Sequence, residues 1–330
     1  GGIKMSNKIL IVGGVAGGAS AATKARREDE AAEVVIFEKG PYASFANCGL
    51  PYYVGGTIRE RKNLFQVSNE FFKERFNIDL RIKHEVTKIN REDKEVEVIN
   101  HQSGEKFTES YDKLILSPGS EPLKPPIPGI ESDKVSTLLT VPDADQVVEE
   151  LEQDPESAVV VGGGYIGIEA AEELNNRGLD VTLVEMADQI LAPLDKEMTT
   201  PLMQHLKEEG INVILNNGVT EFKEDGDLTL TLQDDQELTT DFVVLAAGVR
   251  PRLELLQDSG LEVSEVGVVV NEWMQTSDPD VYAVGDIVES KELVTGTKVR
   301  IALAGPANKQ GRVAGAHAVG NGGKKFKGVL

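Results

Sequence analysis

Two stretches of this chain repeat one plan, and the repetition restricts the fold more than any other feature. In each, an apolar run meets a cluster of glycines. The glycines open a run of helix formers, and a second apolar run ends on a glutamate. The first copy is KILIVGGVAGGASAATKARREDEAAEVVIFEKG. Ile9 to Val12 reads as a strand, Gly13, Gly14, Gly17 and Gly18 as a tight turn, Ala19 to Arg27 as a helix, and Val34 to Phe37 as a second strand closed by Glu38. The second copy, AVVVGGGYIGIEAAEELNNRGLDVTLVEMA, carries Gly162, Gly164 and Gly167 in a complete G-x-G-x-x-G pattern and ends its second strand on Glu185. In the first copy Val15 takes the place of the middle glycine. Glycine is required where backbone turns sharply and must approach a pyrophosphate closely. The helix that follows offers free N–H groups to the phosphates, and the glutamate is placed to accept from ribose hydroxyls. The expected fold class is therefore α/β, with two Rossmann-like, three-layer ββα dinucleotide-binding domains.

Further segments suggest how the two are threaded. TSDPDVYAVGDIVE, Thr276 to Glu289, reads as a short strand Val281 to Val284 ending in Gly285 and Asp286. An aspartate there can reach the ribityl or pyrophosphate region of a flavin, with a following helix adding N–H groups. YDKLILSPGSEPLKPPIPG and TTDFVVLAAGVRP each run from a strand through a small-residue turn to proline, and read as crossings between domains. Pro122, Pro125, Pro126 and Pro128 make a stiff connector. The expectation is a discontinuous FAD-binding domain, residues 1–118 and 243–330, interrupted by an NAD(H)-binding domain with its connectors, residues 119–242. Gly1–Lys4 reads as an expression-tag remnant. Glu185 favours a free 2′-hydroxyl over a 2′-phosphate, hence NADH over NADPH.

Composition excludes some partners. Acidic residues outnumber basic ones 55 to 34, giving a net charge of −21, which argues against nucleic acid because phosphate binding needs a basic face. No apolar run is long enough for a membrane helix. A single cysteine leaves no internal disulfide framework, which suits a reducing cytoplasm. The histidines His84, His101, His205 and His317 form no acid–base or metal-binding constellation and read as structural or surface residues.

That one cysteine, Cys48, lies in SFANCGLPYY, just before a segment that opens a helix with Pro51 in its first turn. The thiolate is the nucleophilic form of cysteine, and a helix N-terminus favours it. The paired glycine motifs, the two crossings and YAVGD resemble the FAD-dependent pyridine nucleotide–disulfide oxidoreductases over nearly all of residues 7–322. GGVAGGASAA followed by SFANCGLPYY is similar to one branch, the coenzyme A disulfide reductases and NADH-dependent persulfide reductases. Many relatives carry C-x-x-x-x-C beside the flavin, but here the residue five places after Cys48 is Tyr53. NADH oxidases and peroxidases of the family typically carry a histidine in the first glycine turn, where this chain has Ala16.

The resemblance implies a single redox-active cysteine, Cys48, beside tightly bound FAD. It implies FAD contacts at Gly13, Gly14, Ala16 and Gly17 in the first turn, at Glu38 and Lys39 after it, and at Asn47 and Cys48. Pro118, Gly119, Gly285, Asp286, Leu303 and Ala304 complete that set. For NAD(H) it implies Gly162, Gly164, Tyr165, Ile166 and Gly167, with Glu169, Glu185 and Gly248; Tyr165 would cover the flavin face and Glu169 would orient nicotinamide. Ser20, Lys24 and Arg27 share one helix face by spacing. With Ser44, Asn47 and Asn308 they match positions that line a channel for a coenzyme A-type substrate. The implied reaction is NADH-dependent reduction of coenzyme A disulfide, a persulfide or a polysulfide, and the implied partners are small thiols, disulfides or persulfides. An NADH oxidase or peroxidase stays open as an alternative, as does a non-catalytic flavin- and nucleotide-binding regulator. The resemblance also implies a C-terminal dimerisation domain, and in some relatives a rhodanese domain, beyond the residues present here. The full-length protein would be a homodimer and this chain a monomer.

Overall fold

A computed structural model describes residues 7–330; Gly1–Lys4, read above as a tag remnant, lies outside the described residues. Among these the helices are α1 (Ala16–Glu28), α2 (Leu50–Val54), α3 (Asn69–Phe76), α4 (Val141–Leu151), α5 (Tyr165–Asn176), α6 (Lys196–Glu208) and α7 (Ala304–Ala318). The chain divides into two compact units. One comprises the residues up to Phe45, Phe65–Ser120 and Pro251–Leu330; the other comprises Ala46–Leu64 and Glu121–Arg250.

The first unit is built on a five-stranded parallel sheet in the order Val281–Ala283, Lys113–Leu116, Lys8–Val12, Glu33–Glu38, Asp79–Ile82. Its central strands are continuous apolar runs, and Ile9, Leu10, Ile11, Ile36, Leu114 and Ile115 have no exposed surface. That pattern belongs to a parallel sheet covered on both faces. A three-stranded antiparallel sheet, His84–Asn90, Glu95–Asn100 and Lys106–Ser110, forms a further layer. There Val96 and Val98 are buried on either side of exposed Glu97, the period-two signature of a sheet with one face covered. Helices α1 and α7 pack through small residues. A Cβ on Gly311 would stand 2.2 Å from the Gly17 carbonyl oxygen, and one on Gly315 would stand 2.2 Å from that of Ala21.

The second unit repeats the plan. Its parallel sheet runs Asn212–Ile214, Asp180–Val184, Ser157–Val161, Phe242–Leu245, Val135–Thr137. Its antiparallel layer is Val219–Asp225, Asp227–Leu232 and Glu237–Thr240, with Leu228, Leu230 and Leu232 buried at every second position. The two units differ in where the fifth strand comes from. In the first unit it is a late segment, Val281–Ala283, and in the second it is Val135–Thr137, which precedes the glycine turn.

The expected domain boundaries need correcting in two places. Phe242–Leu245 belongs to the second sheet, so the chain returns to the first unit at Pro251 rather than at 243. The reason is pairing: this strand lies in parallel register with Ser157–Val161, as Lys113–Leu116 does with Lys8–Val12. The segment Ala46–Leu64, expected within residues 1–118 of the first domain, is compact with the second unit. One local expectation also fails. Gly285 and Asp286 open only a 3₁₀ turn, Gly285–Ile287, and not a helix.

Because α1 and α7 approach with no room for a side chain, Gly315→Val should destabilise the first unit by about 1–3 kcal/mol through overpacking. Urea denaturation followed by circular dichroism measures this, and an unchanged midpoint would show that the helix pair tolerates the added bulk.

Candidate functional site

In the first unit, Gly13 has φ +92° and its N–H donates to the Phe37 carbonyl at 2.8 Å. A Cβ there would lie 2.0 Å from the Ser117 carbonyl oxygen, and one on Gly18 would lie 1.9 Å from that of Gly13. The turn is therefore clamped between the second strand and the first crossing. Glu38 closes it: the Gly14 N–H donates to Oε2 and the Gly40 N–H to Oε1, each at 2.7 Å. Burial pushes the Glu38 carboxyl up, opposed by those two N–H groups and by the charge of Arg252. Arg252 also donates to the Pro118 carbonyl through Nη1 at 3.2 Å and to the Gly119 carbonyl through its backbone N–H at 3.0 Å. Sequence reasoning passed over Arg252. Its only signal was a cation directly after the second crossing's proline.

The second unit reproduces this geometry. Gly162 has φ +114° and donates to the Val184 carbonyl at 2.8 Å. Its Cβ would meet the Ala246 carbonyl oxygen at 2.3 Å, and that of Gly167 would meet the Gly162 carbonyl oxygen at 1.8 Å. Glu185 closes the turn by accepting from Gly163 N–H at 2.5 Å and Ala187 N–H at 2.7 Å. Gly164 caps α5 with open space around it, and Tyr165 and Ile166 begin the helix. Tyr165 is 60% exposed. Gly119 and Gly248 hold equivalent places after the two crossings, at φ +72° and +107°.

Among the described residues, two helix starts are capped by side chains and the others are not. The N-terminus of α3 is capped by Ser68 and that of α4 by a Thr140–Asp143 capping box. The starts of α1, α5 and α7, on Val15, Gly164 and Leu303, have no side-chain cap, as is also true of α2 on Gly49 and α6 on Asp195. Uncapped N–H groups together with the positive end of a helix dipole suit a phosphate. Ala16 and Gly17 lie in the first turn of α1, and Ala304 is the first residue of α7.

Other expected residues are distributed as follows. The Ser20 hydroxyl donates to Asn308 Oδ1 at 2.7 Å, which joins two substrate-channel candidates across α1 and α7. Lys24 is ion-paired with Glu28, and Arg27 stacks over the Phe76 ring at 5.3 Å, so neither charge is idle. Lys39 pairs with Glu85 at 2.8 Å. Ser44, at φ +52°, donates its N–H to the Gly14 carbonyl at 2.9 Å. The Gly285 N–H donates to Oε1 of Gln310 at 2.7 Å, and Gln310 Nε2 donates to Ser290 Oγ at 3.2 Å. This buried glutamine fixes the Gly285–Asp286 turn and went unnoticed in the sequence. Burial pushes the Asp286 carboxyl up, with the Arg300 charge acting against it.

Asn47 and Cys48, expected among the flavin contacts, lie in the second unit. Cys48 is exposed, in the 3₁₀ turn Asn47–Gly49 that runs into α2 with Pro51 in its first turn. Asn47 Nδ2 donates to the Leu139 carbonyl at 3.0 Å. Tyr52 donates to Glu169 Oε1 at 3.4 Å, and Thr57 to Glu173 Oε2 at 3.2 Å. Burial pushes the Glu169 carboxyl up, opposed by the Tyr52 hydrogen bond and reinforced by Glu172 and Glu173. Burial likewise pushes Glu173 up, opposed by Thr57 and reinforced by Glu172. The histidines have local partners: His84 with the Ile82 carbonyl, His101 with Glu85, His205 with Glu172 and His317 with Tyr282.

The profile of the family described as pyridine nucleotide-disulphide oxidoreductase matches residues 7–311. A coenzyme A disulfide reductase from Staphylococcus haemolyticus is 36% identical over 98% of this chain and 72% of that protein. An NADH oxidase from Enterococcus faecalis is 37% identical over 93% of this chain and 69% of that protein. Among solved structures, reduced Bacillus anthracis CoADR-RHD superposes with TM-score 0.95 at 44% identity, covering 98% of this chain and 59% of that one. An NAD-dependent persulfide reductase from A. fulgidus gives 0.94 at 38% identity, covering 98% and 61%. The chain thus spans about three-fifths of those two structures.

Glu173 yields a pH test. Its carboxyl titrates higher in the folded chain than in the unfolded one, so the folded state binds more protons between the two values. The stability it contributes is fully present below the unfolded value and is lost as pH rises through the folded value. Glu173→Gln should match the wild type near pH ~4 and become the more stable of the two near pH ~8. Urea unfolding at both pH values is the measurement; an unchanged difference between the proteins would contradict the assignment.

Proposed function

Because the chain belongs to the pyridine nucleotide-disulphide oxidoreductase family, we propose that it is the catalytic part of an FAD-dependent, NADH-consuming reductase of coenzyme A-type disulfides or persulfides. The observation that carries this reading is the sole cysteine, Cys48, exposed on a short turn with no second thiol in the chain. A disulfide exchange that begins on it must take its second sulfur from the substrate.

The first unit's turn is the seat for FAD. The side-chain-free approach at Gly13, the carboxylate of Glu38 and the uncapped starts of α1 and α7 fit a dinucleotide's pyrophosphate and ribose. When bound, FAD supplies hydride acceptance and delivery of the electron pair. The second unit's turn seats NADH by the same means, and Glu185 disfavours a 2′-phosphate. Tyr165 and Glu169 stand at the entrance of α5, where nicotinamide would arrive. Ser20 and Asn308, already hydrogen-bonded to each other, would contact a coenzyme A-type substrate.

The Cys48 thiolate attacks one sulfur of the substrate. The substrate S–S bond breaks, one thiolate leaves, and the other half remains on Cys48 as a mixed disulfide. Two electrons originating in NADH cleave that bond and restore the Cys48 thiolate. Overall, one disulfide, one NADH and one proton give two thiols and NAD⁺.

Two measurements test the reading. Cys48→Ser should retain flavin and nucleotide affinity yet lose disulfide- or persulfide-dependent NADH consumption to background. Anaerobic NADH titration of the flavin-bearing protein should produce a long-wavelength charge-transfer band that alkylation of Cys48 abolishes. NADH consumption matched to oxygen or peroxide, and indifferent to disulfide, would instead mark an oxidase or peroxidase. Turnover unchanged in Cys48→Ser would remove the cysteine from the chemistry altogether.

A further inference from the structure

Resting on that reading, a second role emerges for α5 beyond seating nucleotide at its N-terminus. Tyr165, Glu169, Glu173 and Arg177 recur at every fourth position along α5 and its C-cap, and so share one face. The Ala46–Leu64 segment, which carries Cys48, is fitted to that face. Tyr52 donates to Glu169 and Thr57 to Glu173. Gly55 touches Glu173 so closely that a Cβ would fall 1.7 Å from its Oε2. Gly56, at φ +86°, leaves the Nη1 of Arg177 only 3.2 Å from where a Cβ would be. Further anchors flank these: Asn47 to the Leu139 carbonyl, and Arg61 to Asp145 through paired bonds of 2.8 and 2.7 Å. Cys48 therefore sits between two tethers, Asn47 and Tyr52, and the second ends on the carboxylate next to the nucleotide turn.

The tethers differ in strength. The Arg61–Asp145 pair is bidentate and the Gly55–Glu173 contact is close-packed, so both resist displacement. The Tyr52–Glu169 bond, at 3.4 Å, is long for an O–H···O bond and is the easiest to exchange. Glu169 lies one turn into the helix whose start would receive nicotinamide, and a carboxamide N–H is a donor that competes with a phenol for the same oxygen.

We propose that this face of α5 is the positioning element for Cys48, and that Glu169 is shared between bound nicotinamide nucleotide and Tyr52. Nucleotide occupancy then frees Tyr52 and loosens the segment that carries the sulfur. Tyr52 and Glu169 act here through Cys48's placement, with no covalent part in the exchange.

The single cysteine makes the test direct, since a thiol reagent reports on one site. The probe is the alkylation rate of Cys48 in the flavin-bearing protein, with and without saturating NAD⁺, which cannot reduce the flavin. NAD⁺ should accelerate alkylation about fivefold or more, the lower end of ordinary coupling between sites. Tyr52→Phe, which removes one hydroxyl and keeps the ring, should react at the faster rate with or without NAD⁺. Its NAD⁺ affinity by calorimetry should be tighter than the wild type's by about the same factor, because nucleotide no longer has to displace the phenol, and its far-UV circular dichroism should match the wild type. Wild-type alkylation indifferent to bound NAD⁺, or a Tyr52→Phe protein that keeps the full response, overturns the proposal while the nucleotide assignment stands. Failure of NAD⁺ to bind the wild-type protein overturns the nucleotide assignment, and the coupling with it.

Discussion

The fold depends on one steric arrangement, made twice. At Gly13 and Gly162 the backbone turns with positive φ while a carbonyl from a neighbouring crossing, Ser117 or Ala246, presses into the space a side chain would occupy. The contact requires glycine on one side and a strand in parallel register on the other. The register is supplied by Ser117 N–H donating to the Val12 carbonyl at 2.8 Å, and by Ala246 N–H donating to that of Val161 at 2.7 Å. The helix that follows must then start close against the sheet. Gly18 and Gly167 allow this, because each lies against the carbonyl of the turn's first glycine.

Electrostatics builds on that geometry. Glu38 and Glu185 each bridge a turn N–H and an N–H just beyond the second strand, so both carboxylates are fixed in orientation. Fixing a charge there is costly for a partly buried group, and the raised Glu38 titration records the cost. Arg252 offsets part of it while tying the crossing at Pro118 and Gly119 to the chain's return into the first unit. Gln310 does comparable work without charge, occupying the Gly285 N–H from within α7.

The cysteine segment follows a different logic. Ala46–Leu64 is fastened to α4 and α5 by a mixture of charge, hydroxyl and glycine contacts, several of which involve buried or half-buried acids. These acids sit close together: beyond burial, Glu172 and Glu173 push the Glu169 carboxyl up and Glu172 pushes Glu173 up. An apolar interface would hold the segment more simply. The polar one leaves exchangeable hydrogen bonds near Cys48.

Much of this was legible in the residues alone. The duplicated turns, the closing glutamates, the helices after them and the crossings could be read because each depends on local requirements: glycine where φ is positive, apolar runs where a parallel sheet is covered on both faces, helix formers after the turn. Cys48 could be singled out because no other cysteine competes with it. What the sequence could not assign was membership. Phe242–Leu245 reads equally well as a strand of either unit, and Ala46–Leu64 adjoins the first unit in the chain while packing with the second. Arg252, Gln310 and Glu173 looked like ordinary polar residues, since their partners lie far away in sequence. Local sequence determined which elements form and where the glycine turns fall. Tertiary structure alone decided which unit owns each strand and what holds the cysteine, because strand pairing and side-chain tethering join residues that no local pattern connects.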